Sequence, residues 1–258
     1  MLIFKLKHLD FVLKLVDFVL KMLDFAAPYV RVGPDTIDSW GGSIEQGFSE
    51  LTRAVAPSIR PHHFGDLASL MVGKVHCVLW GANTPGCMPG PDYYIPGNRS
   101  HLTAPEVLSY ASLVSIFRSS WWPSGVITEM NEFQFKLMTN DAVIRVAMMS
   151  QGTRQVVDLA SPIGDGIVWT ADDSEMDGWK YVLLVNRGAV ELVVAVDFVQ
   201  LGLTFQTECN VTELWDSHEL GLSYRRLEAT LEPHASLFAR LSGCKEQLHP
   251  PPTPGTPS

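Results

Sequence analysis

The sequence predicts an α/β segment followed by an all-β one: βα units over residues 28–150, then an antiparallel β-sandwich over residues 151–243. Three observations predict this. Short apolar runs alternate with helical stretches up to about Ser150. After Gln151 the texture changes to short strands separated by turn residues, at the spacing of a sandwich. The chain's 258 residues, 46% of them hydrophobic, suffice to bury a sizeable core in one or two domains.

Residues 1–27 repeat with a period of seven, in Asp10-Phe11-Val12-Leu13-Lys14, Asp17-Phe18-Val19-Leu20-Lys21 and Asp24-Phe25. Lysines and aspartates three or four apart share one helical face, which predicts an amphipathic helix with a wide apolar side. Charges at Lys14, Asp17 and Lys21 exclude an uncharged signal-peptide core and a transmembrane span. Three readings of the segment stay open: an interfacial or partner-binding helix, a helix packed on the domain, and low-complexity sequence from an imperfect gene model.

Within 28–150, Ile44 to Ala56 reads as a helix with Phe48, Leu51 and Val55 on one face, and Pro105 to Phe117 as another with Thr103 as N-cap. Between them the Gly-, Pro- and Asn-rich stretch Cys77 to Ser100 reads as a long structured loop, where binding residues commonly sit. In the sandwich, strands are expected at Ile167–Thr170, Tyr181–Val185, Leu192–Val196, Phe205–Thr207, Val211–Trp215, Leu227–Thr230 and Ser236–Leu241. Residues 244–258 read as a Pro-rich tail, with five prolines from His249 onward.

Composition narrows the function. A net charge of -9, with only 19 Lys and Arg spread thinly, provides no basic stripe to follow a phosphate backbone, so nucleic acid is excluded as a partner. Aromatic residues are numerous, and although most aromatics in any domain are core, their faces are also what sugar rings stack on. Of the four cysteines, Cys77 and Cys87 are close enough to close a loop in an oxidising compartment. Two sequons, Asn98-Arg99-Ser100 and Asn210-Val211-Thr212, suit a secreted or endomembrane protein.

The sharpest local signal is Arg31-Val32-Gly33-Pro34-Asp35-Thr36-Ile37-Asp38-Ser39-Trp40, after a short predicted strand and before a helix. An Arg, two carboxylates and a Trp at a strand's C-terminal end can form a sugar site: one Asp donates a proton to a leaving oxygen while Arg binds hydroxyls. The alternative is structural, with Asp35 or Asp38 as helix N-cap and Arg31 as its ion-pair partner. His62-His63 with Asp66 lacks a third ligand at suitable spacing, so no metal is expected, and no phosphate loop or nucleophile elbow points to an organic cofactor.

From about Tyr29 to Gly243 the chain resembles the α-galactosidase (melibiase) family of retaining glycoside hydrolases. Arg31, Asp35, Asp38 and Trp40 fall on that family's Arg, Asp and Asp-x-Trp positions at the end of the sixth barrel strand. Further matches follow in order: Phe64-Gly65-Asp66 where the family has Trp-Pro-Asp, Gly73-Lys74-Val75, Ser100-His101-Leu102-Thr103, Phe117-Arg118-Ser119-Ser120, and Leu137 to Ile144. Val168 to Ala171, Tyr181 to Gly188, Glu213-Leu214-Trp215 and Glu232-Pro233-His234 resemble the family's C-terminal sandwich. The resemblance implies the C-terminal part of a (β/α)8 barrel followed by an antiparallel β-sandwich. It implies Asp35 as general acid/base, Arg31 as anchor for a galactose hydroxyl, Asp38, Trp40 and Asp66 as further substrate-binding residues, and a galactoside as substrate.

The chain departs from that pattern in ways that bear on activity. The family's nucleophile lies upstream of the Arg match in a Lys-x-Asp context, where this chain has the heptad repeat; Lys21-Met22-Leu23-Asp24 has the wrong spacing. A retaining enzyme needs two carboxyl groups about 5 Å apart, and one is accounted for. The family's Asp-x-Asp on the next strand reads Asp66-Leu67-Ala68, which replaces a carboxylate by a methyl group. Gly125-Val126 stands where the family has Gly-Asp. Residues 29–150 can supply only the last part of a barrel that takes about 250 residues. Two readings follow: a truncated α-galactosidase-type hydrolase, or a catalytically silent sugar-binding or interaction fragment, which the absence of a positioned nucleophile favours for this chain alone. An incomplete barrel leaves strand edges open, so self-association is expected.

Overall fold

The computed structural model describes residues 29–31, 40–41, 64–67, 102–123, 130–156 and 165–247. The expected helices at 1–27 and Ile44 to Ala56, the loop from Cys77 to Ser100, and Asp35 and Asp38 lie outside the described residues. Two short parallel strands, β1 (Tyr29–Arg31) and β2 (Phe64–Asp66), lead into three helices: α1 (Ala104–Ile116), α2 (Glu132–Met138) and α3 (Asp141–Met149). Eight strands follow: β3 (Ser150–Val156), β4 (Gly166–Asp173), β5 (Lys180–Asn186), β6 (Leu192–Asp197), β7 (Thr207–Glu213), β8 (Glu219–Tyr224), β9 (Arg226–Leu231) and β10 (Ser236–Glu246).

Helix α1 starts where its chemistry requires. Thr103 is an extended N-cap whose hydroxyl accepts from Glu106 N, while the Glu106 carboxylate accepts from Thr103 N at 2.7 Å; this reciprocal box satisfies two otherwise orphaned donors. It ends at Phe117, after which Arg118 adopts a left-handed backbone (φ 56°). From Ser109 to Phe117 every residue is buried, so the C-terminal two turns of α1 have no solvent face and show no one-sided pattern. Its serines are compatible with burial because Ser112 and Ser115 donate to the carbonyls of Leu108 and Ala111, one turn back.

The sandwich pairs a six-stranded antiparallel sheet, in the order β3-β4-β5-β10-β7-β8, with a two-stranded sheet of β6 and β9. The central strands are covered on both faces, and alternation sorts their side chains. Trp169, Ala171, Tyr181, Leu183, Val185 and Phe238 face the helices and share a core with Trp40, Leu67, α1 and Leu137, Val143 and Val146. Val168, Val182, Leu184, Ala239 and Leu241 face β6 and β9. Double burial is why β4 and β5 read as near-continuous apolar runs.

Cys209 and Cys244 form a disulfide between β7 and β10, beside the register shift between Ser242 and Lys245. Closing a loop over a sequence separation of 35 limits the unfolded chain by about 4 kcal/mol in the loop-entropy picture. The sequence drew attention to Cys77 and Cys87 instead, which lie outside the described residues.

Candidate active site

Strands β1 and β2 run parallel with Tyr29 opposite Phe64, Val30 opposite Gly65 and Arg31 opposite Asp66. Arg31 and Asp66, 35 positions apart in the sequence, are thus register partners at the C-terminal ends of adjacent strands, the end at which barrel sites form. A Cβ added at Gly65 would lie 1.8 Å from Cε1 of the wholly buried Phe117, so only glycine lets β2 rest on the end of α1. Asp66, one residue on, falls on the opposite side of the strand by alternation, away from Phe117. Just beyond, Leu67 is buried: its N–H donates to Ser119 Oγ at 2.9 Å and its carbonyl accepts from the Tyr110 hydroxyl.

Trp40 is only 8% exposed and belongs to the core shared with α1. His234, in the turn between β9 and β10, stacks on its ring with centroids 4.5 Å apart and planes 15° from parallel. One face of the indole is therefore taken by a residue of the sandwich. His234 is fixed in turn: Nδ1 lies 2.7 Å from Glu106 Oε1, its carbonyl accepts from Ser109 Oγ at 2.7 Å, and its backbone is left-handed (φ 61°). Such a backbone costs a non-glycine residue on the order of 1 kcal/mol and persists where surrounding contacts over-determine it. The capping carboxylate of α1 and a sandwich turn thus hold Trp40, which follows Asp35 by five positions.

A second tie joins the α2–α3 connection to the end of β7. Asn140 caps α3, its Oδ1 accepting from Val143 N, while its Nδ2 donates to the carbonyls of Leu214 and Trp215; Trp215 Nε1 donates to Ser112 Oγ at 2.9 Å. Arg118 closes the same region from below α3, donating to the carbonyls of Met148 and Ser150, with burial lowering its pKa.

The third polar cluster centres on Asp173 at the end of β4. Its side chain has no exposure and accepts from Arg145 Nε and Nη2, both at 3.1 Å, from the backbone N–H of Glu175 and Met176, both at 2.8 Å, and from the Tyr181 hydroxyl. Burial pushes this carboxyl upward, but the bonds from Tyr181, the two backbone amides and Arg145 together outweigh it and hold its pKa below the ordinary value. Burial and the carboxylate raise the Tyr181 phenol. The Trp179 ring lies beside both Arg145 and Arg240 (5.6 and 4.2 Å from guanidinium carbon to centroid). This clamp carries little signal in the sequence beyond the Asp172-Asp173 pair at a strand end.

Among the described residues no group of three or more His, Cys, Asp or Glu could hold a metal ion, and no helix is long and apolar enough to cross a membrane.

Comparison with known proteins places this architecture. Residues 164–241 match the family model of the α-galactosidase C-terminal β-sandwich domain. A GH27 β-L-arabinopyranosidase from Geobacillus stearothermophilus superposes with a TM-score of 0.71 at 24% identity, covering 86% of this chain and 46% of that one. α-Galactosidase I from Mortierella vinacea gives 0.66 at 12% identity, covering 84% and 53%. The α-galactosidase from Saccharomyces cerevisiae, solved with raffinose, gives 0.51 at 15% identity, covering 73% and 49%. No curated protein matches by sequence. The chain spans about half the length of the solved structures it matches. Fold and matches define the class of architecture, the C-terminal part of a (β/α)8 barrel followed by an antiparallel β-sandwich. Within that architecture the sandwich is similar to the α-galactosidase C-terminal β-sandwich domain, over residues 164–241.

Proposed function

We propose that this chain carries the acid/base side of a retaining α-galactosidase site. Asp35 donates a proton to the leaving oxygen of a terminal α-linked galactose and later takes one from water. Arg31 anchors a sugar hydroxyl, and Asp38, Trp40 and Asp66 complete the binding surface. The observation that carries this reading is the register of β1 and β2, which sets Arg31 beside Asp66 at the strands' C-terminal ends. The sugars named with the related structures, raffinose for the yeast enzyme and arabinose for a variant of the Geobacillus enzyme, support a carbohydrate ligand.

Retention requires a covalent intermediate, and therefore a nucleophile about 5 Å from the acid/base. No residue of this chain is identified in that role. Together with Ala68 in place of a carboxylate, and with one face of Trp40 stacked on His234, this favours a second reading: a sugar-binding or interaction fragment with no turnover of its own. Self-association through an open barrel edge belongs to the same proposal, as the route by which strands from another polypeptide would complete the site.

The test is hydrolysis of nitrophenyl α-D-galactopyranoside and nitrophenyl β-L-arabinopyranoside by the purified chain, beside Asp35→Asn. The two sugars share ring stereochemistry and differ by a hydroxymethyl group. Turnover abolished by the substitution assigns Asp35 as acid/base; turnover that survives it removes Asp35 from the mechanism. No turnover, with galactose still raising the melting temperature, supports the binding fragment.

A further inference from the structure

We propose that Asn210 is an N-glycosylation site, carrying an oligosaccharide on the outer face of the six-stranded sheet. Asn210-Val211-Thr212 is a complete acceptor tripeptide. Asn210 lies on β7 between Ser242 of β10 and Leu222 of β8. Its chain neighbours Cys209 and Val211 are buried in the core between the sheets, whereas Asn210 is exposed, so alternation directs its amide away from that core. On the adjoining strand the chain has Gly243, in a left-handed conformation (φ 57°), and a Cβ there would come 2.8 Å from Asn210 Nδ2. Glycine leaves the amide nitrogen uncrowded.

Two independent observations point the same way. The residue before Asn210 is half of the Cys209–Cys244 disulfide, and disulfides persist in oxidising compartments, among them the endoplasmic reticulum lumen in which oligosaccharide is transferred to entering chains. Leu222, the cross-strand partner of Asn210, is 66% exposed, and Leu220 is also exposed, both on the edge strand β8. An exposed apolar edge invites pairing with other chains, and a sugar rooted at Asn210 would stand over Leu222 and obstruct that edge.

In the transfer, the Asn210 amide nitrogen attacks the anomeric carbon of a polyprenyl-pyrophosphate-linked oligosaccharide. The C–N bond forms, the bond from that carbon to the pyrophosphate oxygen breaks, its electron pair leaves with the polyprenyl pyrophosphate, and the amide proton passes to a base of the transferase. No redox change occurs. In the folded sheet the Thr212 hydroxyl accepts from Arg240 and donates to Glu219. Transfer therefore precedes pairing of β7 with β8 and β10, which follow it in the chain.

The experiment is translation of the full chain behind a cleavable secretion signal with endoplasmic-reticulum microsomes, in an Asn98→Gln background that removes the other tripeptide. Most translocated chains should show one mobility step, reversed by peptide-N-glycosidase with residue 210 recovered as Asp, and the step should vanish with Asn210→Gln. Because transfer acts before folding, a poorly folding variant does not obscure this readout. Recovery of residue 210 as unmodified Asn would overturn the proposal. So would a glycosylated population that lacks the Cys209–Cys244 disulfide beside an unglycosylated one that has it, since the sugar would then be incompatible with the folded sheet.

Discussion

Replacing Asp173 by Asn tests how much of the junction between helices and sandwich rests on one buried charge. The carboxylate receives five hydrogen bonds, two from a guanidinium. Asn keeps the shape but turns one acceptor oxygen into a donor that faces other donors, and it leaves Arg145 without its buried counter-charge. Breaking a buried pair by removing one partner costs about 3–5 kcal/mol. The Arg145 side chain is 33% exposed and can be partly rehydrated, so the lower end, about 3 kcal/mol, is expected, or a melting temperature lower by about 6–12 °C. The pH dependence has a definite sign. The folded pKa of Asp173 is depressed, so its contribution is fully present above the unfolded carboxyl value near ~4 and disappears as pH falls through the folded value below it. Urea unfolding from pH 7 downward should show the wild type losing, below about pH 4, an increment that Asp173→Asn never had. A variant within about 0.5 kcal/mol of wild type at pH 7, or one with the same acid loss, would refute the assignment.

Gly65→Ala should destabilise by about 1–3 kcal/mol through overpacking against Phe117, and Phe117→Leu in the same chain should recover part of that loss in a thermal melt; strict additivity of the two would show that they do not press on each other. His234→Ala removes the stack on Trp40 and a partner of Glu106, for an expected cost of about 2 kcal/mol, measured as a lowered urea midpoint at unchanged slope; an unchanged midpoint would show that the turn does not hold Trp40.

Where local chemistry decides structure, the sequence was readable. Thr103 and Glu106 mark the start of α1 because a capping box is a four-residue event, and the apolar runs of β4 and β5 mark central strands because both faces are covered. Reading failed where the determinant is an edge or a distant partner. Strand β8 carries Glu219, Gly221 and Ser223 and is largely exposed, so no buried alternation announces it, and β3 shows in the sequence only as a change of texture. The expected strands Phe205–Thr207 and Val211–Trp215 are one strand, Thr207–Glu213; Trp215 falls beyond it because its indole reaches Ser112 on α1. Strand β10 runs on from Leu241 to Glu246 because the bulge near Gly243 admits extra residues that a simple alternation would end on. The Cys209–Cys244 bridge spans a separation that carries no local signal. Of the candidate site, Arg31 and Asp66 are each legible as family positions on successive strands, whereas their register and the stacking of Trp40 on His234 depend on contacts between parts of the chain that sequence treats separately.

That contact explains why motifs in the sandwich accompany motifs at the barrel strands. Within Glu232-Pro233-His234 and Glu213-Leu214-Trp215, His234 grips Trp40 and Glu106, and Trp215 reaches Ser112 on the same helix. Groups that bind or react with a ligand must be held to within a fraction of an ångström to be effective, and Trp40 is held by contacts that come from the sandwich. The core that Trp40 shares with α1, Tyr181 and Phe238 supplies that rigidity from outside the barrel. The sandwich is thus part of the mechanical support of Trp40, and substitutions at the His234 turn should be felt there while leaving every candidate catalytic residue unchanged in the sequence.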